Sequence, residues 1–148
     1  MLAQKEVDML LSLIKVLAEN KPITFPNPGE IIHLEAFSTS SSDKFLIDVN
    51  RKGQIKISKC TYQTRYKRST ILLRVDIDGP EHTNPDGEVV PCPHIHIYRE
   101  GYEDRWAYPL EQHIKTDPFD LVEVLISFLR YNNINDIPDI YFQQGGLI

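Results

Sequence analysis

Apolar residues at Val7, Leu10, Leu11, Ile14, Leu17 and Ala18 recur at intervals of three and four, the spacing that gathers side chains on one stripe of an α-helix. The stripe predicts a first helix reaching Ala18, ended by Asn20 and by Pro22, which cannot continue it. Pro22, Pro26 and Pro28 then predict an extended connector up to Gly29. Beyond it the period falls from 3.6 to 2, as expected where helix gives way to sheet.

Strands follow in series. Ile31–Ser38 is the first, closed by a Ser/Thr run at 39–42. Lys44–Asn50 sets Phe45, Ile47 and Val49 against Leu46 and Asp48, and Arg51-Lys52-Gly53 supplies a turn into a strand over 54–66. Residues 70–78 place Ile71, Leu73, Val75 and Ile77 on one face and Leu72, Arg74, Asp76 and Asp78 on the other. That is the signature of a half-buried central strand. A loop over 79–91 contains the turn composition Asn84-Pro85-Asp86-Gly87. Residues 93–99 turn Ile95 and Ile97 one way and His94, His96 and Tyr98, with Cys92 before them, the other way, and a turn at 101–104 leads into 105–110.

Thr116 or Asp117 is a fitting cap, with Pro118 at the first position, for a second helix whose stripe is Leu121, Val122, Leu125, Ile126 and Leu129 and whose end is Asn132-Asn133. A short last strand over 137–142 and a fraying end at Gly145-Gly146 complete the pattern. The expected fold is a single α+β domain over 1–148: an antiparallel meander of about six strands, with two helices on one face and the other face open.

Composition supports this and narrows the setting. The chain has 148 residues, 41% apolar and 25% charged, a balance that excludes disorder. No apolar stretch approaches the roughly 20 residues of a bilayer span. Charges interrupt the first twenty residues, unlike a secretory leader. A cytoplasmic protein is expected, with Cys60 and Cys92 as reduced thiols. The net charge of −5 is laid out in blocks. Residues 51–74 hold eight Lys and Arg (Arg51, Lys52, Lys56, Lys59, Arg65, Lys67, Arg68 and Arg74) and no acid, whereas from Asp76 onward 14 acids face 4 bases.

Two constellations bear on chemistry. If strands 70–78 and 93–99 pair with their apolar faces toward the helices, then Arg74, Asp76 and Asp78 share a surface with His94, His96 and Tyr98, with His82 and Asp86 in the loop above. Paired imidazoles suit phosphate contact or general acid–base work, with carboxylates as supporting partners. They also suit a metal, for which His82, Asp76 and Asp78 are candidate further ligands without a recognised spacing, and neither metal nor cofactor is assigned. A plain alternative is a solvated face with His–Asp pairs across strands. In the basic run, Lys56, Lys59, Arg65, Lys67 and Arg68 interleave with Tyr62 and Tyr66, and cations with stackable aromatics are what nucleic-acid contact requires. His33 and His113 are assigned no role.

The segment G-P-E-H-T-N-P-D-G followed by P-H-I-H-I-Y-R-E-G-Y-E-D-R-W-A resembles an uncharacterised family, a domain of unknown function among short proteins of Gram-positive bacteria and their mobile elements. The likeness spans Arg74 to about Pro109. It implies an accessory-genome protein of toxin-antitoxin or anti-defence type and carries no established activity. Three functions are therefore expected in competition. The first is a protein that binds nucleic acid, or a nucleoprotein, through the basic run. The second is a metal-independent ribonuclease using His94 or His96 as acid or base, Arg74 or Arg99 for phosphate, and Tyr98 in support. The third is an inhibitor that meets a protein partner through its acidic half, including the second helix and the turn from Glu100 to Asp104.

Overall fold

The computed structural model describes residues 1–53 and 56–143; the Gly145-Gly146 end and part of the strand expected over 54–66 lie outside them. The chain opens with helix α1 (Gln4–Ser12), then strands β1 (Lys15–Leu17), β2 (Ile23–Phe25), β3 (Ile31–Ser38) and β4 (Lys44–Asn50). Next come β5 (Thr61–Tyr66), β6 (Thr70–Asp76), the short pair β7 (His82–Thr83) and β8 (Val89–Val90), then β9 (His94–Ile97) and β10 (Ala107–Pro109). A 3-10 turn at Leu110–Gln112, helix α2 (Leu121–Tyr131), β11 (Ile134–Asn135) and β12 (Ile140–Phe142) follow.

Eight strands, where about six were expected, form one sheet in the order β10-β9-β6-β5-β4-β3-β1-β11, because the short β1 and β11 extend it beyond β3. The run from β3 to β6 is the expected meander, and β6 pairs antiparallel with β9 across the intervening loop. Two features depart from it. β11 joins β1 in parallel, and β12 joins β2 in parallel as a separate two-stranded sheet. Both strands return to the start of the chain after α2, a long-range pairing that local alternation does not encode.

The first helix is shorter than its apolar stripe. It ends at Ser12, and Leu13 is extended with ψ 137°. The residues Ile14 to Leu17 suit either element, and pairing Lys15–Leu17 with β3 settles them as a strand. Lys15 assists: its buried ammonium donates to the carbonyls of Leu13 at 3.0 Å and Asn132 at 2.9 Å, below the Phe45 ring at 4.7 Å. One cation thus serves the last carbonyls of both helices, where the helix dipoles favour positive charge.

The cap of α2 is Asp120, whose carboxylate accepts from the Glu123 N–H at 3.1 Å. Asp117 instead accepts from Phe119 in the preceding turn, so Pro118 lies outside the helix. Leu121, Val124, Leu125, Phe128 and Leu129 of α2, with Val7 and Leu10 of α1, pack on Phe45, Ile47, Val49, Tyr62, Leu73, Val75 and Ile95. Both helices therefore cover one sheet face. A bulge refines the alternation: Thr64 pairs with Leu73 but Arg65 pairs with Ile71. The extra residue, Leu72, is turned into the core beside Leu73, so both are fully buried.

Burial holds the Lys15 ammonium down at a pKa of about 8. Between pH 8 and 10.5 the unfolded chain binds the proton more tightly than the folded one, so this residue makes stability rise with pH across that window. Lys15→Met is expected to remove the rise in urea titrations at pH 8 and 10. It should also cost about 1–3 kcal/mol through the carbonyls left unpaired.

Candidate active-site cleft

The ladders carry two rows of polar side chains on the face away from the helices. Arg74 pairs with Gln63 on one side and His96 on the other, and Asp76 pairs with Thr61 and His94. Alternation does the rest: Leu73, Val75 and Ile95 point into the core, so Arg74, Asp76, His94 and His96 share the opposite face. This is the grouping expected from the sequence, with Tyr98 as an exception. The β6–β9 ladder ends at Ile97, and beyond it Tyr98 turns in beside Leu72, where its hydroxyl accepts from the Leu2 N–H at 2.9 Å. Tyr98 is a core residue that anchors the N-terminus and does not reach the histidines' face.

The imidazoles are the floor of a cleft and not an open surface. His94 and His96 are buried, whereas the side chains of Arg74 and Asp76 keep 29% and 22% of their exposure. The β7–β8 hairpin covers them. Its Asn84 donates to the Ala107 carbonyl at 2.9 Å and accepts from the Ala107 N–H at 2.8 Å, pairing with edge strand β10 as a peptide group would. This clamp carries the His82 ring to 4.6 Å from His96 and 6.1 Å from His94, centroid to centroid. Gly87, with φ of 90°, closes the hairpin turn as its composition indicates.

Partners fix the protonation of the rings. A carbonyl only accepts, so the Nδ1 atoms of His94, 3.1 Å from Val90 O, and His96, 2.8 Å from Asp104 O, both donate. Both Nε2 atoms then face Asp76, at 3.0 Å and 3.3 Å from Oδ2. His94 meets the carboxylate with a second N–H. Burial opposes a charge there, yet bonding to Asp76 and Cys92 raises its pKa to about 10. Burial likewise works against ionised Asp76, and the His94 N–H with the Arg74 guanidinium hold it well below the usual carboxylate range. The Nε2 of His96 accepts from Arg74 Nη2 at 3.0 Å.

Arg74 is gripped on three sides, since Nε lies 3.4 Å from Asp76 and Nη1 lies 3.3 Å from Asp104. His82 Nε2 donates to Arg105 O at 2.8 Å, which leaves its Nδ1 with a lone pair. Lys59, Thr61, Asp78, Glu81 and Cys92, with Gly79 and Pro80, complete a cleft of about 300 Å³. A larger groove of about 720 Å³ at Pro91, Pro109 and Ile114 has apolar walls and meets the cleft only at Cys92. The other thiol, Cys60, is pushed up to about 12 by burial and is inert.

The basic run does not form one patch. Arg51 is buried and donates to the carbonyls of Pro26 and Ile57. Arg65 grips the buried Asp48 through Nε at 2.6 Å and Nη2 at 2.9 Å, and Lys56 pairs with Asp78 at 3.2 Å. Tyr62 lies in the core with its hydroxyl on Leu121 O, and Tyr66 is tied to Asp43. Lys67 and Arg68 are exposed in the β5–β6 turn, at the opposite end of β5 from Lys59. In the acidic half, Glu100 accepts from the Gln4 N–H and Asp104 holds Arg74. Arg99 stacks on Trp106 at 4.4 Å.

Fold and cleft together define an α+β protein built on an antiparallel-rich sheet, with a His–Arg–Asp centre on the sheet face opposite its helices. The chain belongs to a family of unknown function, DUF6978, whose model matches residues 2–134. That stretch contains both helices and every residue of the cleft. No curated protein and no solved structure matches the chain.

Asn84→Ala is expected to unclamp the hairpin, costing about 1–3 kcal/mol for the unpaired Ala107 groups. Deuterium exchange at the ring carbons of His94 and His96, followed by mass spectrometry, should quicken while the helical circular dichroism signal stays.

Proposed function

We propose that the chain is a metal-independent ribonuclease that binds and cuts RNA in this cleft. The observation that supports it is the half-buried, three-sided grip on the Arg74 guanidinium beside a histidine, His82, whose Nδ1 has no hydrogen-bond partner among the described residues. A cation already held in position stabilises charge developing on a phosphoryl group without reorganising. A lone pair beside it removes a proton.

The chemistry selects RNA because the nucleophile comes from the substrate. His82 Nδ1 takes the proton of a ribose 2′-hydroxyl, and the 2′-oxygen attacks the adjacent phosphorus. The bond from phosphorus to the 5′-oxygen breaks. Lys59 gives the leaving oxygen its proton, and the products are a 2′,3′-cyclic phosphate and a free 5′-hydroxyl. Arg74 binds the non-bridging oxygens. His94, Asp76, His96 and Asp104 act through Arg74 as positioning residues. The nucleic-acid contact expected of the basic run is thereby concentrated on Lys59 and Arg74, and a toxin-like activity suits the mobile-element setting that the family resemblance implies.

Purified protein incubated with single-stranded and structured RNA in excess chelator is expected to release 2′,3′-cyclic phosphate ends. A substrate carrying 2′-deoxy sugars should resist. His82→Ala and Arg74→Ala are each expected to slow cleavage by about 10²-fold or more. No cleavage of either RNA by the wild type, or cleavage that neither substitution slows, would overturn the proposal.

A further inference from the structure

Two buried histidines present their Nε2 atoms to one carboxylate oxygen, and in each the other nitrogen is committed to a backbone carbonyl. That second bond is the one metal-binding histidines ordinarily make: it fixes the tautomer and aims a lone pair at the ion. Both carbonyl acceptors come from outside β9, Val90 at the end of β8 and Asp104 in the turn before β10. Two separate segments thus converge to set the same ring orientation twice.

The spacing suits an ion. The three ligand atoms lie within 4.8 Å of one another. Metal–ligand bonds of about 2.0–2.1 Å in a tetrahedral site put ligands about 3.3 Å apart. The two separations to Asp76, 3.0 and 3.3 Å, already match. An imidazole–imidazole–carboxylate set is nitrogen-rich and favours divalent first-row transition ions over magnesium or calcium. Asp76 stays partly exposed toward the cleft, which gives an entry path and leaves coordination positions open.

We propose that Asp76, His94 and His96 form a three-ligand site for a divalent transition-metal ion of the zinc or cobalt class. The ion takes the place of the ring proton at His94 and of the guanidinium contact at His96. Arg74 and the ion are therefore alternative occupants of one position: when the ion enters, Arg74 withdraws toward Asp104, its third partner. Ion binding stands independently of the proposed ribonuclease activity. One consequence rests on that activity, namely that the ion suppresses cleavage by displacing the phosphate-binding cation.

Cobalt(II) titrated into the metal-free, full-length protein without RNA gives a direct readout. One ion per chain is expected, with visible d–d absorption bands and displacement by zinc. Asp76→Asn should weaken binding by more than about tenfold, and His113→Gln, outside the cleft, should bind like the wild type. Arg74→Gln should tighten binding at least about fivefold by removing the competing charge, an effect no purely structural role of Arg74 produces. Should Asp76→Asn fail to fold, the Arg74→Gln comparison decides alone. Absence of bound cobalt in both the wild type and Arg74→Gln, or undiminished binding by folded Asp76→Asn, would overturn the site. Cobalt binding without RNA cleavage would leave the ion site standing and remove only the ribonuclease; cleavage without cobalt binding would do the reverse.

Discussion

The carboxylate of Asp76 is the point on which the cleft converges. It accepts from His94, Arg74 and Thr61 and lies 3.3 Å from the His96 Nε2, and these residues come from three adjacent strands of the sheet. A partly buried anion surrounded in this way is stable only if its partners remain, and of these Arg74 is shared with a second carboxylate, Asp104. The core on the helix side is what enforces the meeting. Leu73, Val75 and Ile95 must lie inward, so Arg74, Asp76, His94 and His96 must lie outward, and a slip of β9 by one residue against β6 would turn both histidines to the helix side.

That logic explains which features could be read from sequence. Alternation in 70–78 and 93–99 is strict enough to give both the pairing of β6 with β9 and the shared face of Arg74, Asp76, His94 and His96. It fails where a local irregularity changes the count. The bulge at Leu72 and the end of the ladder at Ile97 turn Tyr98 into the core, and no residue type announces either. The end of α1 was equally hidden, because the apolar spacing after Ser12 suits a helix and a strand alike and only the partner β3 decides. His82 lay in a segment legible as a loop. Its importance depends on the Asn84 clamp to Ala107, a contact spanning 23 positions.

Charge shows the same limit from another side. Eight cations without an acid form a block only along the chain. In space their counter-ions arrive from elsewhere: Asp48 from β4 meets Arg65, Asp78 meets Lys56, and Asp76 with Asp104 meets Arg74. Outside these pairs stand Lys59 at the cleft, and Lys67 and Arg68 exposed in the β5–β6 turn. Sequence blocks report composition, and the sheet redistributes it.

Both functional readings draw on one arrangement, the two histidines whose Nδ1 atoms are bound to backbone carbonyls while their Nε2 atoms face Asp76. Long-range proton–nitrogen correlation spectra of the uniformly ¹⁵N-labelled, metal-free protein at neutral pH report the protonation of each ring nitrogen. The account predicts a proton on Nδ1 of both His94 and His96, with His94 carrying a second proton on Nε2. Bare Nδ1 atoms on the two rings would contradict it, for then neither the grip on Arg74 nor the aim of the lone pairs could be as described.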